Sequence, residues 1–87
     1  MPDHDLRDAP PRQERLTAYD RAHMRAYIRL LDAAAAGADW REVAALVLGL
    51  DVEADPERAR QIHDAHLERA RWMSQAGYRG LAGPSEP

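Results

Sequence analysis

Two histidines and two carboxylates on one predicted helix are the residues whose spacing could support chemistry. His63 and His66 are three residues apart, and Asp64 and Glu68 are four apart. The helical period places both histidines at the apolar stripe, and no Cys accompanies them, so backbone-bonded histidines are favoured over a metal site. No pocket is indicated that would separate the pKa values of the two carboxylates, so we interpret them as an exposed pair.

Groups for nucleophilic catalysis are equally scarce in this chain. The Ser and Thr residues are Thr17, Ser74 and Ser85, and there is no Gly-rich loop to hold a phosphate. We therefore expect that the protein is not an enzyme and binds no metal and no cofactor.

The composition describes a small acidic protein that depends on packing for its stability. Its 87 residues include 12 Arg, no Lys, 15 acidic residues and no Cys, which leaves a formal charge of −3. One domain fits this length, and no disulfide supplements its core. The apolar runs 33–36 and 43–48 are far shorter than the ~20 residues of a membrane span, and residues 1–5 do not resemble a signal peptide. We expect a cytoplasmic protein that does not contact membranes.

The chain divides into a flexible N-terminal arm, an ordered domain and a short tail. Residues 1–15 are rich in charge and Pro, and residues 83–87 contain Gly and two Pro, so neither segment buries enough apolar surface to offset its ordering entropy. Residues 16–82 contain many Ala, no Phe and few Val, which favours helices over sheet. We predict an all-α domain over 16–82.

Capping residues predict three helices in this domain. The first spans 18–36 after the capping box of Thr17 and Asp20, and it ends at Gly37. The second spans 40–48 after Asp39, and the third spans 56–76 after Asp55 and Pro56. The third helix ends at Gly77, after which Tyr78 and Leu81 are predicted to fold back onto its last turn.

The apolar positions of each helix predict which face is buried. Their spacing follows the helical period. In the three helices in turn they are Met24, Tyr27, Ile28, Leu31, Ala34 and Ala35; Val43, Leu46 and Val47; and Ala59, Ile62, His66, Ala70 and Met73.

The order of these elements is that of a helix-turn-helix domain with an extended turn before a long third helix. The connection 49–55 is longer than the usual three or four residues, although Leu50 and Val52 are suited to anchor it in the core. A plain three-helix bundle is the alternative that the sequence leaves open.

The outward face of the third helix carries little positive charge. It presents two Arg, three acidic residues and a Gln, namely Arg60, Arg71, Glu57, Asp64, Glu68 and Gln61. With Asp51, Glu53 and Asp55 just before it, residues 51–57 contain four acids and no base. Because these charges repel phosphates, we expect that this chain does not bind DNA. The alternative is a modest DNA-binding surface built on Arg58, Arg60 and Arg71.

The first helix shows the opposite charge pattern. Arg21, Arg25 and Arg29 are four residues apart and form a basic ladder on its predicted solvent side. Trp72 falls about 140° from the centre of the third helix's stripe, and exposed indole side chains are common at protein interfaces. Together with Tyr19, these residues form the predicted partner-binding surface, with a plain solvated face as the alternative.

Five short stretches resemble a widespread proteobacterial domain family, formerly of unknown function, that is regarded as an extended-turn helix-turn-helix domain. They are residues 19–23, 27–32, 38–44, 70–73 and 77–79, and the resemblance covers about 16–81. In that family the domain is fused to an N-terminal partner domain in FseA-like activators of integrative and conjugative elements. It also occurs alone in small antiactivators of the QseM type.

The resemblance implies a competitive function in the control of horizontal gene transfer. A stand-alone domain would mimic the activator's own helix-turn-helix domain, bind the N-terminal domain of the FseA-like activator and block activation of excision and transfer genes. We therefore predict a monomeric antiactivator. The alternative is a stand-alone transcriptional regulator that binds DNA through its third helix.

Overall fold

The computed structural model describes residues 6–77, and this part of the chain contains four α-helices. They are α1 (Ala18–Ala22), α2 (Met24–Ala35), α3 (Trp40–Leu48) and α4 (Pro56–Trp72), and a π-helical turn, Met73–Gly77, continues α4. Residues 6–77 contain no strand, so the predicted all-α class is confirmed. The predicted contacts of Tyr78 and Leu81 lie outside the described residues.

The starts of α1, α3 and α4 are those that the capping residues predict. The Thr17 side chain accepts a hydrogen bond from Asp20 N, and Thr17 N donates to Asp20 Oδ2 over 2.9 Å, which completes the capping box. Asp39 and Asp55 cap α3 and α4 in the same manner, each accepting from a backbone N–H of the first turn. Each cap satisfies donors that have no partner inside the helix.

The first predicted helix is interrupted at His23, so the prediction of one helix over 18–36 is wrong. His23 has φ −109° and ψ 18°, and its ring stacks on that of Tyr19 with 4.0 Å between centroids. Two backbone hydrogen bonds nevertheless span the interruption. His23 N donates to Tyr19 O, and Tyr27 N donates to His23 O. The stacked rings of Tyr19 and His23 are both buried.

The buried face of α1 and α2 agrees with the predicted one at Tyr27, and Met24 and Leu31 pack against the core, but it differs at other positions. Tyr19, His23, Tyr27 and Leu30 are buried. Of the residues expected to face inward, Ile28 is half exposed and Ala34 and Ala35 are exposed. The aromatic residues occupy the interior because each removes more apolar surface from water than an alanine does.

The core lies where α2 and α3 pack against α4. Its buried members are Tyr27, Leu30, Val43, Leu48, Ile62, Ala70 and Met73. Leu46 was predicted to face inward, but it is 75% exposed, and Leu48 is buried in the core instead. The reason is the position of α4, which contacts the face of α3 that carries Val43, Ala44 and Leu48.

The extended turn between α3 and α4 spans residues 49–55. It begins at Gly49, whose φ of 69° is the left-handed conformation that ends many helices. Leu50 then packs against the core, as predicted from the sequence. The architecture is the predicted helix-turn-helix variant, with α4 as the long helix after the turn.

The described part of the predicted arm lies against α4. Leu6 packs against the core, Asp8 contacts Arg58, and the carbonyls of Gln13 and Arg15 accept hydrogen bonds from Arg69. The mobility of this segment stays a prediction. Within residues 6–77, no helix has the length and apolar character needed to cross a membrane.

Candidate functional site

The outward face of α4 is the first candidate surface. The residues predicted to be exposed on it are all exposed, namely Glu57, Arg60, Gln61, Asp64, Glu68 and Arg71. The predicted stripe on the opposite face, Ala59, Ile62, His66, Ala70 and Met73, is buried. The helical period was sufficient to predict which residues of α4 are buried, because only one face of this helix contacts the rest of the domain.

Two of the three arginines proposed for DNA contact on α4 are paired with carboxylates. Arg58 Nη2 lies 2.6 Å from Asp8 Oδ1, and Arg60 Nε lies 3.1 Å from Asp64 Oδ2. The Arg60 guanidinium also lies over the Trp40 ring, 5.0 Å from its centroid. Arg71 has no carboxylate partner among residues 6–77. The positive charge of this face is therefore largely balanced at short range.

Asp64 adds a persistent negative charge to the same face. Burial raises the pKa of its carboxyl, but hydrogen bonds from His63 and Arg60 outweigh that effect and lower the pKa below its usual value. His63 Nδ1 is 2.8 Å from Asp64 Oδ1. A carboxylate held ionised beside Arg60 opposes the approach of a phosphate.

The turn before α4 is acidic along its exposed edge. Asp51, Glu53, Asp55 and Glu57 are all exposed. Asp51 accepts a hydrogen bond from Ala54 N, and Asp55 accepts one from Arg58 N. These carboxylates stabilise the turn and the start of α4, and they occupy the position that an anion would otherwise take at this helix end.

A second candidate surface, which we call the arginine strip, consists of Arg21, Arg25 and Arg29 on α1 and α2. All three are exposed, and none has a carboxylate within 4.0 Å among the described residues. Arg25 and Arg29 lie on α2, where four residues at 1.5 Å of rise each correspond to about 6 Å along the helix, and Arg21 lies on α1 before the interruption at His23. Among residues 6–77, the strip is therefore a row of positive charges without a carboxylate partner.

The other two residues predicted for partner binding lie elsewhere. Tyr19 is only 8% exposed and belongs to the interior, whereas the prediction rested on its exposure. Trp72 is half-buried, and the Arg69 guanidinium lies 4.0 Å from the centroid of its ring. The residues predicted for partner binding thus fall into two groups. Arg21, Arg25 and Arg29 are exposed, whereas Tyr19 is buried and Trp72 is half-buried beside Arg69.

The buried ion pair of Asp20 and Arg69 is a central interaction that sequence reasoning missed. Arg69 Nη2 donates to Asp20 Oδ2 over 2.6 Å, and Arg69 Nε donates to Asp20 Oδ1 over 3.0 Å. The pair joins α1 to α4. A signal was present in the sequence, because Arg69 lies only about 60° from His66 on the helical wheel and so borders the buried stripe.

Hydrogen bonds keep Asp20 ionised although it is fully buried. Burial by itself raises the pKa of its carboxyl, but hydrogen bonds from Arg69, from Thr17 and from the Tyr27 hydroxyl lower the pKa to about 2. Burial and the neighbouring carboxylate also raise the pKa of Tyr27 far above its usual range. Asp20 therefore holds α1, α2 and α4 in one fixed arrangement.

His66 is a neutral buried histidine in a chain of hydrogen bonds. Its Nδ1 is 2.8 Å from Ile62 O, which only accepts, so Nδ1 carries the proton. Its Nε2 then accepts from the Tyr19 hydroxyl over 2.7 Å, and that hydroxyl accepts from Arg7 N. Burial lowers the pKa of His66, with the hydrogen bond to Ile62 O acting in the opposite direction.

His63 and His66, the two histidines considered for metal binding, both form hydrogen bonds within the domain. In residues 6–77 there is no cluster of three His, Asp or Glu side chains suited to hold a metal ion. The chemistry offered by the surfaces is electrostatic, through charged side chains on rigid helices.

The chain was compared with models of known protein families, and residues 4–82 match one of these models. A family model described as "T6SS, Transcription factor, DNA binding domain" (RovC_DNA-bd) matches this range. No curated protein matches the chain. The prediction that the chain does not bind DNA is wrong, because the matched family is a DNA-binding domain. The prediction relied on charge summed along α4 and its turn, whereas attraction of DNA depends on where unpaired charges lie in space.

Proposed function

Because the chain belongs to the RovC_DNA-bd family of transcription-factor DNA-binding domains, we propose that it binds duplex DNA directly and regulates transcription by doing so. The single observation that supports this function is the extent of the match. Residues 4–82 include the whole described fold, so the unit that the family model represents is this entire helical domain rather than one motif within it.

The electrostatics of the domain are compatible with this function despite its net charge of −3. Among the described acids, Asp8, Asp20, Asp39 and Asp64 each contact an arginine, and others cap a helix or a turn. Arginines without a carboxylate partner among residues 6–77 remain on the outward faces of α1, α2 and α4. Local positive charge of this kind attracts the DNA backbone even when the protein is acidic overall.

A gel-shift titration tests the proposed function. Purified full-length protein is titrated into labelled random-sequence duplexes of about 30 base pairs, long enough for one site, at low and at physiological salt. We expect retarded complexes whose affinity falls as salt rises, with non-specific Kd values of about 10⁻⁴ to 10⁻⁶ M. Absence of any complex at low salt would overturn the proposal.

The antiactivator prediction gives a different result in the same experiment. A chain that acts only by occupying the N-terminal domain of an FseA-like activator leaves DNA unshifted when it is tested alone. Calorimetry with that activator domain would then detect a complex. This mechanism stays a prediction, and retardation of DNA by the protein alone favours the direct function over it.

A further inference from the structure

We propose that the arginine strip, Arg21, Arg25 and Arg29, is the main phosphate-contacting surface of this domain. The inference rests on the proposed DNA-binding function and assigns it to a face of α1 and α2. The alternative drawn from the sequence placed the DNA contacts on α4, at Arg58, Arg60 and Arg71.

The first argument is the contrast in charge pairing between the two surfaces. No member of the strip contacts a carboxylate among residues 6–77, and the exposed acid next along α2 is Asp32. On α4, by contrast, Arg58 and Arg60 already contact carboxylates. A phosphate that approaches α4 must displace these carboxylates, whereas one that approaches the strip displaces only water and counterions.

The second argument is geometric. Arg25 and Arg29 are about 6 Å apart along α2, with Arg21 before them on α1, and successive charges of one DNA strand are about 3.4 Å apart along its axis. Each arginine therefore reaches a different phosphate, and the long side chains adjust to the curvature of the backbone. Guanidinium groups suit this contact because two of their N–H groups can bind one phosphate.

The third argument is that the strip is mounted on a rigid support. The face of α1 and α2 opposite the strip carries Asp20 and Tyr27, which are fully buried, and Asp20 is bound to Arg69 of α4. Like charges four residues apart disfavour a helix on its own. Here the buried contacts hold the helices in place, so the arginines keep their spacing without a ligand, and a bound polyanion relieves their repulsion.

The two candidate surfaces point in different directions. The buried faces of α2 and α4 contact each other, and the strip and the outward face of α4 lie opposite those buried faces. A duplex that lies along the strip therefore does not lie along the outward face of α4. Substitutions on the two surfaces consequently give separable effects on DNA binding.

Matched charge reversals test the assignment. Arg25→Glu and Arg29→Glu change the strip, and Arg60→Glu and Arg71→Glu make the same change of net charge on α4. Fluorescence anisotropy with a labelled random-sequence duplex is measured over a series of salt concentrations. Arg25→Lys serves as the conservative variant, and thermal melts followed by circular dichroism check that every variant folds.

We expect the strip variants to lose about tenfold or more in affinity, with the slope of log K against log salt reduced by about one for each lost contact. Arg25→Lys retains binding within about threefold because it keeps the charge. The α4 variants change affinity by less than the strip variants, although their net charge is the same.

Three results would overturn the assignment. Loss of binding in Arg60→Glu and Arg71→Glu with normal binding in the strip variants would move the DNA to α4 and leave the proposed function intact. Equal losses in all four variants would show that only net charge matters. If the wild-type protein binds no DNA, the proposed function and the assignment fail together.

Discussion

The Asp20 carboxylate and the Arg69 guanidinium, 49 positions apart in the chain, form a buried two-point ion pair with N–O distances of 2.6 and 3.0 Å. Arg69 also donates to the carbonyls of Gln13 and Arg15, so one side chain holds α1, α4 and the segment before α1 together. Every candidate surface of the domain is positioned by this arrangement.

Removing Arg69 is expected to destabilise the fold strongly. Arg69→Met leaves the Asp20 charge buried without its main partner, and breaking such a pair costs about 3–5 kcal/mol. The free energy of unfolding in urea measures the loss. Arg71→Met, two residues along on the exposed face of the same helix, is the matched control and changes stability by less than about 0.5 kcal/mol. Similar losses in both variants would contradict the assigned role of the pair.

Asp20 is expected to make stability fall in acid. Its pKa is about 2 in the folded protein, below the ordinary value of 3.8, so its contribution is complete above pH 3.8 and disappears as the pH falls through about 2. The shift corresponds to about 2 kcal/mol. Urea unfolding of wild type and Asp20→Asn between pH 2 and 7 should give a stability difference that is largest at neutral pH and shrinks in acid. A difference independent of pH would refute this role.

His66 is expected to add a second pH dependence nearer neutrality. Its pKa is lowered by folding, so below about pH 6.5 the unfolded chain binds more protons, and stability decreases as the pH falls through that value. Protonation also removes the Nε2 acceptor of the Tyr19 hydroxyl. The pKa measured by NMR titration of the His66 ring should lie below the ordinary value of 6.5. The Tyr19→Phe variant lacks the hydroxyl that donates to His66 Nε2 but keeps a buried ring, so it isolates the effect of this hydrogen bond. A ring that titrates at or above the ordinary value in the wild-type protein would contradict the effect of burial on its charged form.

Two leucines of α3 are expected to differ sharply in their importance. Leu48 is 4% exposed, and Leu48→Ala should cost about 2–5 kcal/mol because it leaves a cavity in the core. Leu46 is 75% exposed, and Leu46→Ala should change stability by less than about 0.5 kcal/mol. Chemical denaturation of both variants measures the difference. The reverse order would support the buried position that the sequence pattern predicted for Leu46.

The sequence was sufficient where the deciding interactions are local. The capping side chains of Thr17, Asp39 and Asp55 act on backbone groups within three residues, so the starts of α1, α3 and α4 were predicted. The buried stripe of α4 was also predicted, because in a long helix with one face against the core the apolar residues recur at the helical spacing.

The interruption at His23 and the burial of Tyr19 needed the tertiary structure. Tyr19 is hydrogen-bonded to His66 and to Arg7 in the segment before α1, which are distant from it in the sequence, and the His23 ring stacks on this buried Tyr19 ring. The same holds for Leu46 and Leu48, since the position of α4 decides which side of the short helix α3 is covered.

The amino-acid sequence is sufficient to predict an all-helical domain with an extended turn, in which arginines are the cations apart from histidine. The fold was needed to show that Arg58 and Arg69 contact carboxylates 50 and 49 positions away in the chain, whereas Arg60 pairs with Asp64 one turn along the same helix. Arg21, Arg25 and Arg29 have no carboxylate within 4.0 Å among residues 6–77. Charge pairing acts over a few ångströms in space, so a count along the chain does not reveal which charges remain available to DNA.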